Sequence, residues 1–450
     1  MSTTTVECGT LPTVRPGLLQ RFARSVVFRA LGAIRRGRLI VTDSLGTEAF
    51  AGPAAGPEVA ITVRDPAFYG KMLRGGVNAV DDAYLDGGWD CDNLTALFRL
   101  FIQSPDSTDQ LSTNRWSWLS RLRERRAHLR RSNTRGGSRS NIRSHYDLGN
   151  DFFRLWLDET MAYSSGVFPT FDATLREASL EKFDRVCRKL DLQPTDHVLE
   201  IGSGWGGFAI HAATRYGCRV TTATISQEQY RVACERIEAH GLRDRVEVLC
   251  CDYRDLPGQY DKLVSIEMVE AVGDEFLDDY FRQCGRLLRP HGSFVIQAIV
   301  MPERRYPQYR RSVDFIQRHV FPGGFLPSVS AILESIGRTS DLRLSHLEDF
   351  SPHYAETLRR WRAAFLERLA EVRALGYPER FIRLWDYYLC YCEAVFAERE
   401  VGVVQIQFDK AECPADPLQI GGRAASRPLD TATTTPVPSP VSPGETRSAT

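Results

Sequence analysis

Val198-Leu199-Glu200-Ile201-Gly202-Ser203-Gly204-Trp205-Gly206-Gly207 joins a short apolar run to a cluster of glycines. The run has the composition of a buried strand. The glycines allow a sharp turn whose backbone comes close to a ligand, and Ala209–Tyr216 beyond them has helical character. Strand, glycine turn and helix in that order build the ligand cradle of open α/β sheets. On spacing alone the ligand stays open, because Gly202, Gly204 and Gly207 also satisfy the dinucleotide fingerprint G-x-G-x-x-G. A nicotinamide site calls for Asp or Glu about 20 residues later to hold a ribose diol. Here Thr221-Thr222-Ala223-Thr224-Ile225-Ser226 occupies that place. Glu200 lies inside the strand, where a carboxylate can take part in a cationic sulfonium site. These two features favour S-adenosylmethionine over a nicotinamide, with a merely structural glycine turn as the third reading.

Outward from this loop, residues 143–410 alternate strand and helix, the pattern of a parallel sheet covered on both faces. His197–Ile201, Arg219–Ala223, Val246–Cys250, Lys262–Ile266 and Ser293–Ile299 are the expected strands, and Ala209–Tyr216, Gln227–His240 and Phe276–Leu288 the helices between them. Leu358, Trp361, Phe365, Leu369 and Val372 recur at helical spacing and predict one helix ending before Gly376, followed by another from Phe381 to Glu398. Residues 19–112 form a smaller mixed α/β unit, with strands in Arg38–Ala51 and Glu58–Val63 and helices in Asp65–Arg74 and Leu94–Gln103. Residues 1–18 read as flexible, and 113–142 as an arginine-rich linker or a contact for anionic lipid headgroups. Residues 411–450 read as a disordered tail, Pro/Thr/Ser-rich from Ala424 onward.

Composition narrows the function classes. The 450 residues balance 57 Lys+Arg against 57 Asp+Glu, which removes the global basic field of a nucleic-acid binder. No apolar run reaches the ~18 residues of a membrane span, and Met1–Gly17 lacks the pattern of a signal peptide, so a cytoplasmic location is expected, with peripheral attachment to the inner face of a membrane. Eleven cysteines without a paired framework read as reduced thiols, and no recurrent Cys/His spacing calls for a metal.

Ser140–Phe168, SNIRSHYDLGNDFFRLWLDETMAYSSGVF, resembles the opening segment of cyclopropane-fatty-acyl-phospholipid synthases and related fatty-acyl methyltransferases. The resemblance continues through VLEIGSGWGG, VTTATISQEQ, YDKLVSIEMVEAVG, HVFPGG and YYLCYCEAVF, over roughly residues 60 to 408. It implies an α/β fold: a Rossmann-like S-adenosylmethionine-dependent methyltransferase sheet with a smaller mixed α/β N-terminal domain. It also assigns Tyr163, Ser164, Gly202, Gly204, Thr224 and Gln229 to the donor site. Asp252 and Tyr253 follow the third strand, where a side chain can bond the adenine edge or stack on its face, with a plain surface loop as the alternative.

The family's base is held to be a bound bicarbonate. The matching positions here are Ser165, Glu270, Gln297, Ile299 and Tyr354. Ser165 stands where many members have Cys and Gln297 where many have His, and both replacements can still hydrogen-bond an oxyanion. The expected activity is methyl(ene) transfer to the double bond of an unsaturated phospholipid acyl chain, forming a cyclopropane through a carbocation. A mid-chain methylene or methyl branch is the alternative product, and a non-catalytic lipid-binding module the alternative of another class. Glu267 and Glu270, three apart, would share one face of a helix, with a solvated pair as the plain alternative. His145 reads as structural. Tyr306–Pro327, mixing arginines with aromatics, reads as a lid or channel wall, with plain core as the alternative. The sequence leaves the oligomeric state open, a homodimer among the options.

Overall fold

A computed structural model describes residues 17–107, 133–134, 136–137 and 149–414, without the side chains of residues 77 and 78. Nearly all of the N-terminal segment expected to be flexible, the arginines from Arg121 to Arg143, His145 and the tail beyond residue 414 lie outside the described residues.

The N-terminal sheet has the order β2-β1-β3-β4, from β1 (Arg36–Asp43), β2 (Gly46–Ala51), β3 (Ala54–Val63) and β4 (Trp89–Cys91). Leu39 and Val41 alternate with exposed or half-buried neighbours, as expected where one face of a sheet is covered. Helices 18–31, 68–75, 77–85 and 94–102 accompany it. The helix expected from Asp65 starts only at Phe68, because the Asp65 carboxylate accepts a hydrogen bond from Ala67 N and turns the chain first. Helix 77–85 was not expected.

The main sheet has seven strands in the order β10-β11-β9-β8-β5-β6-β7. β5 (His197–Ile201), β6 (Arg219–Thr224), β7 (Val246–Cys250), β8 (Tyr260–Ile266) and β9 (Leu288–Val300) run parallel and match the expected strands, β9 starting earlier. β11 (Gly402–Asp409) pairs antiparallel with β9, and β10 (Arg343–Asp349) antiparallel with β11. This antiparallel edge lies beyond the five expected strands. β10 carries no buried face, so its sequence lacks the apolar alternation by which a strand is read.

Helices 175–190, 207–216 and 227–239 contribute to the core on one face of the sheet, and helices 277–287 and 329–339 to the core on the other. The helix expected to run through Leu358–Val372 is broken at Arg368 into 351–367 and 369–374. A third core joins the N-terminal unit to helices 351–367 and 379–397. Phe98 packs on Tyr387 with ring centroids 4.9 Å apart, and Arg383 bonds both Asp90 and the Tyr84 carbonyl. Among the described residues no helix is long and apolar enough to cross a membrane.

The strand order reverses at β5, whose neighbours β6 and β8 continue to opposite sides. In open α/β sheets the crevice beyond the strand ends at such a reversal is where ligands bind. The glycine loop leaves β5 at that point.

Candidate active site

β5 ends at Ile201, and Gly202, Gly204 and Gly206 follow with φ of +98°, +49° and +84°, a region that suits glycine. Gly202 N and Ser203 N both donate to the Ala223 carbonyl at 2.9 Å, which fastens the turn to β6. A Cβ on Gly202 would stand 2.9 Å from Met268 Cγ, whereas one on Gly204 would meet nothing within 4 Å and would project into open space. The loop therefore presents bare backbone to a cavity of about 1130 Å3 that also reaches Tyr163, Ser164, Glu200, Thr224, Gln229, Asp252 and Tyr253. All nine residues expected at the donor site thus line one space. A cradle of this shape, with acceptors and short hydroxyls around it, fits S-adenosylmethionine.

Several of these side chains are held by one another. Thr224 Oγ1 donates to Gln229 Oε1 at 2.9 Å, and Thr222 Oγ1 donates to Glu200 Oε2 at 2.5 Å. Burial pushes the Glu200 carboxyl up to about 8 despite that hydrogen bond. Tyr163 and Tyr388 join their hydroxyls at 2.8 Å. Asp252 is buried, against the surface-loop alternative, and its carboxylate grips Arg254 at 2.7 and 2.8 Å.

At the other end of the same wall, Glu267 is the first residue after β8 and has φ +48°. A left-handed glutamate carries local strain, which persists only where surrounding contacts fix it. Those contacts are polar and convergent. Oε1 accepts from Ser165 N at 2.9 Å and from Gln297 Nε2 at 2.7 Å, and Oε2 accepts from the Tyr354 hydroxyl at 2.8 Å. Gln297 Oε1 accepts from Gln405 at 3.0 Å, which turns the Gln297 amide nitrogen toward Glu267. Burial pushes the Glu267 carboxyl up, and the Lys182 charge and these hydrogen bonds oppose the shift.

Glu270 sits in a short turn over residues 269–271, not on a helix with Glu267. Its Oε1 accepts from Ile299 N at 2.6 Å, and its buried Oε2 has no partner among the described residues. Burial, reinforced by the charge of Glu267, pushes its carboxyl up to about 8. Both glutamates are half-buried and line the cavity, each carboxylate held by a protein donor, unlike a pair on an outer helix face.

Four of the five expected anion-holding residues, Ser165, Gln297, Ile299 and Tyr354, do act as hydrogen-bond donors, but to protein carboxylates. Glu267, noted in the sequence only as a neighbour of Glu270, takes three of those bonds. Ser165 contributes its backbone N; its hydroxyl turns away to the Gly166 carbonyl at 3.0 Å, contrary to the side-chain role expected of it. The donors suited to bicarbonate are thus spent, and a second anion there would face the Glu267 carboxylate in a low-dielectric site. Bicarbonate does not fit this arrangement.

From the two glutamates the cavity continues between Phe315, Phe321 and Phe325 of the 306–327 segment, Leu97, Phe98 and Phe101 of helix 94–102, and Val395 and Phe396 of helix 379–397. The 306–327 segment is therefore a cavity wall, as one of its two readings held. An apolar passage this long suits a hydrocarbon chain.

Residues 133–406 match the family described as mycolic acid cyclopropane synthetase. The chain is 40% identical over 375 residues to a tuberculostearic acid methyltransferase of Mycobacterium tuberculosis, covering 82% of this chain and 86% of the relative. It is 36% identical over 353 residues to the cyclopropane-fatty-acyl-phospholipid synthase of Escherichia coli, covering 78% and 87%. Among solved structures, the cyclopropane synthase MmaA2 from Mycobacterium tuberculosis aligns with a TM-score of 0.57 at 29% identity, over 60% of this chain and 98% of that one. A mycolic acid cyclopropane synthase, CmaA1, complexed with SAH and CTAB, aligns with a TM-score of 0.56 at 30% identity, over 60% and 98%. The chain belongs to the mycolic acid cyclopropane synthetase family of S-adenosylmethionine-dependent methyltransferases.

Proposed function

We propose that the protein transfers the methyl group of S-adenosylmethionine to the double bond of an unsaturated phospholipid acyl chain, and that Glu267 removes the proton that ends the reaction. The observation that carries this reading is the position of Glu267. It is a half-buried carboxylate, held by three donors, on the wall shared by the glycine-loop cradle and the apolar passage.

Bound S-adenosylmethionine supplies an electrophilic sulfonium methyl. Gly202, Gly204, Ser164, Tyr163, Thr224 and Gln229 hold the donor, with Asp252 and Tyr253 at its adenosine end and Glu200 beneath the loop. An alkene has no proton to lose before attack, so the protein acts first by alignment and by excluding water. The π electrons form a C–C bond to the methyl carbon as the C–S bond breaks, and positive charge is left on the neighbouring carbon. A carboxylate offers about four lone-pair positions, and three of those on Glu267 are occupied. The remaining one, on Oε2, is the acceptor for the proton.

Two products are open to that cation. Direct loss of a methyl proton with closure of the third bond gives a cyclopropane. A hydride shift from the methylated carbon to the cationic carbon, followed by loss of a methyl proton, gives an exocyclic methylene. Which product forms depends on whether Glu267 takes a methyl proton before or after the shift. We place the methylene-bearing chain ahead of the cyclopropane, in line with the tuberculostearic acid methyltransferase among the relatives. The cyclopropane synthases among them keep the ring as the second reading.

Docking on an anionic membrane is part of the proposal. Helix 18–31 has no acidic residue and exposes Leu18, Leu19 and Phe22 beside Arg21 and Arg29, a composition that suits lipid headgroups and the acyl boundary. The test is to incubate the protein with S-adenosylmethionine and liposomes of unsaturated phosphatidylglycerol and to fragment the product lipid by mass spectrometry. An added CH2 carried as a mid-chain methylene is expected. A ring would favour the second reading, and unaltered lipid would reject the proposal.

A further inference from the structure

Lys182, on helix 175–190, is fully buried although it carries an amine. Buried lysines are ordinarily paired with a carboxylate. Here, among the described residues, no carboxylate comes within ion-pair distance of it, although Glu267, Asp158 and Glu200 are near enough for their charges to act on it. Its hydrogen-bond partner is Ser164 Oγ, at 2.6 Å. The ammonium has only donors, so the serine oxygen is the acceptor and its own hydrogen must point away from Nζ. Ser164 lines the cavity next to the glycine loop. Its hydroxyl can therefore donate only on the side away from Nζ, with a positive charge behind it, in a residue that lines the cavity.

That combination selects an anion. S-adenosylmethionine carries a sulfonium, an ammonium and a single carboxylate, and only the carboxylate is attracted by a donor hydroxyl backed by a cation. We propose that Lys182 is a positioning residue that acts through Ser164 to bind the carboxylate of the donor's amino-acid moiety. The assignment rests on the reading of Ser164 as part of the donor site. It also gives the buried charge its missing counter-ion. Burial pushes the amine down to about 8, and an arriving carboxylate would favour its charged form.

The test compares two ligands by isothermal titration calorimetry: S-adenosylhomocysteine, which keeps the amino-acid moiety, and 5′-methylthioadenosine, which lacks it. Lys182→Met preserves the length of the side chain and removes the charge. It is expected to weaken S-adenosylhomocysteine by about tenfold or more, the scale of a charge-assisted hydrogen bond, and to leave methylthioadenosine unchanged. Retained affinity for S-adenosylhomocysteine, or equal weakening of both ligands by a folded variant, would overturn the proposal. If Lys182→Met does not fold, Ser164→Ala decides. Selective loss of S-adenosylhomocysteine sustains the assignment, and unchanged binding ends it. Failure of the wild-type protein to bind either ligand would instead overturn the donor-site reading beneath it.

Discussion

The Tyr354 hydroxyl donates to Glu267 Oε2 at 2.8 Å, so helix 351–367 reaches across to steady the residue that follows β8. This bond helps keep Glu267 ionised against the desolvation that pushes its carboxyl up. Removing it raises that carboxyl further. Tyr354→Phe is therefore expected to move the acid limb of the pH–rate profile to higher pH and to lower turnover near neutrality by about tenfold. Affinity for S-adenosylhomocysteine should stay within about twofold of wild type, because the loss falls on a later step. A pH–rate profile superimposable on wild type would disconnect Tyr354 from the base.

Glu267→Gly tests whether the carboxylate occupies an anion site. Glycine accepts the φ of +48° without strain. Ser165 N, Gln297 Nε2 and the Tyr354 hydroxyl then surround a space of carboxylate size. Turnover should fall by about a hundredfold or more, and formate or bicarbonate should restore part of it in a saturable way. Full activity without added anion would show that the proton leaves by another route.

Gly204→Val separates ligand space from fold. The open space around a Cβ at Gly204 leaves only the left-handed φ to oppose the change, at a cost of about 1–2 kcal/mol. The thermal midpoint should drop by a few degrees while S-adenosylhomocysteine binding is lost. Normal binding would remove the loop from the donor site.

Glu270 links the site to stability. Its folded carboxyl lies near 8 against an ordinary 4.5, so the stability that goes with the protonated form is complete below 4.5 and is lost as pH rises through about 8. Glu270→Gln keeps an acceptor for Ile299 N and has no proton to lose. The difference in thermal midpoint between Glu270→Gln and wild type should therefore widen in favour of the variant from pH 4.5 to 8. A constant difference across that range would show that Glu270 ionises normally.

The parallel strands were legible because each is a short run rich in apolar or β-branched residues, set between helical segments, and β5, β6, β7 and β8 fall within two residues of the reading. The antiparallel edge was not legible, since Arg343–Asp349 gains its partner from β11 and has no buried face of its own. In the site, the glycine loop and Thr224–Gln229 follow from local pattern. Glu267 does not, because its direction depends on a left-handed turn that i, i+3 spacing to Glu270 hides. Lys182 was missed as well. It stands among Ser179, Phe183, Val186 and Leu190 on the buried face of its helix, and that placement was the available signal.

The most direct test of Glu267 as the base is turnover of the wild-type protein on unsaturated liposomes in buffer stripped of carbon dioxide, compared with the same buffer after addition of bicarbonate. With the proton acceptor supplied by the chain, the two rates are expected to be equal. A rate that collapses without carbon dioxide and returns with bicarbonate would contradict the account, since the base would then be a bound anion and not Glu267.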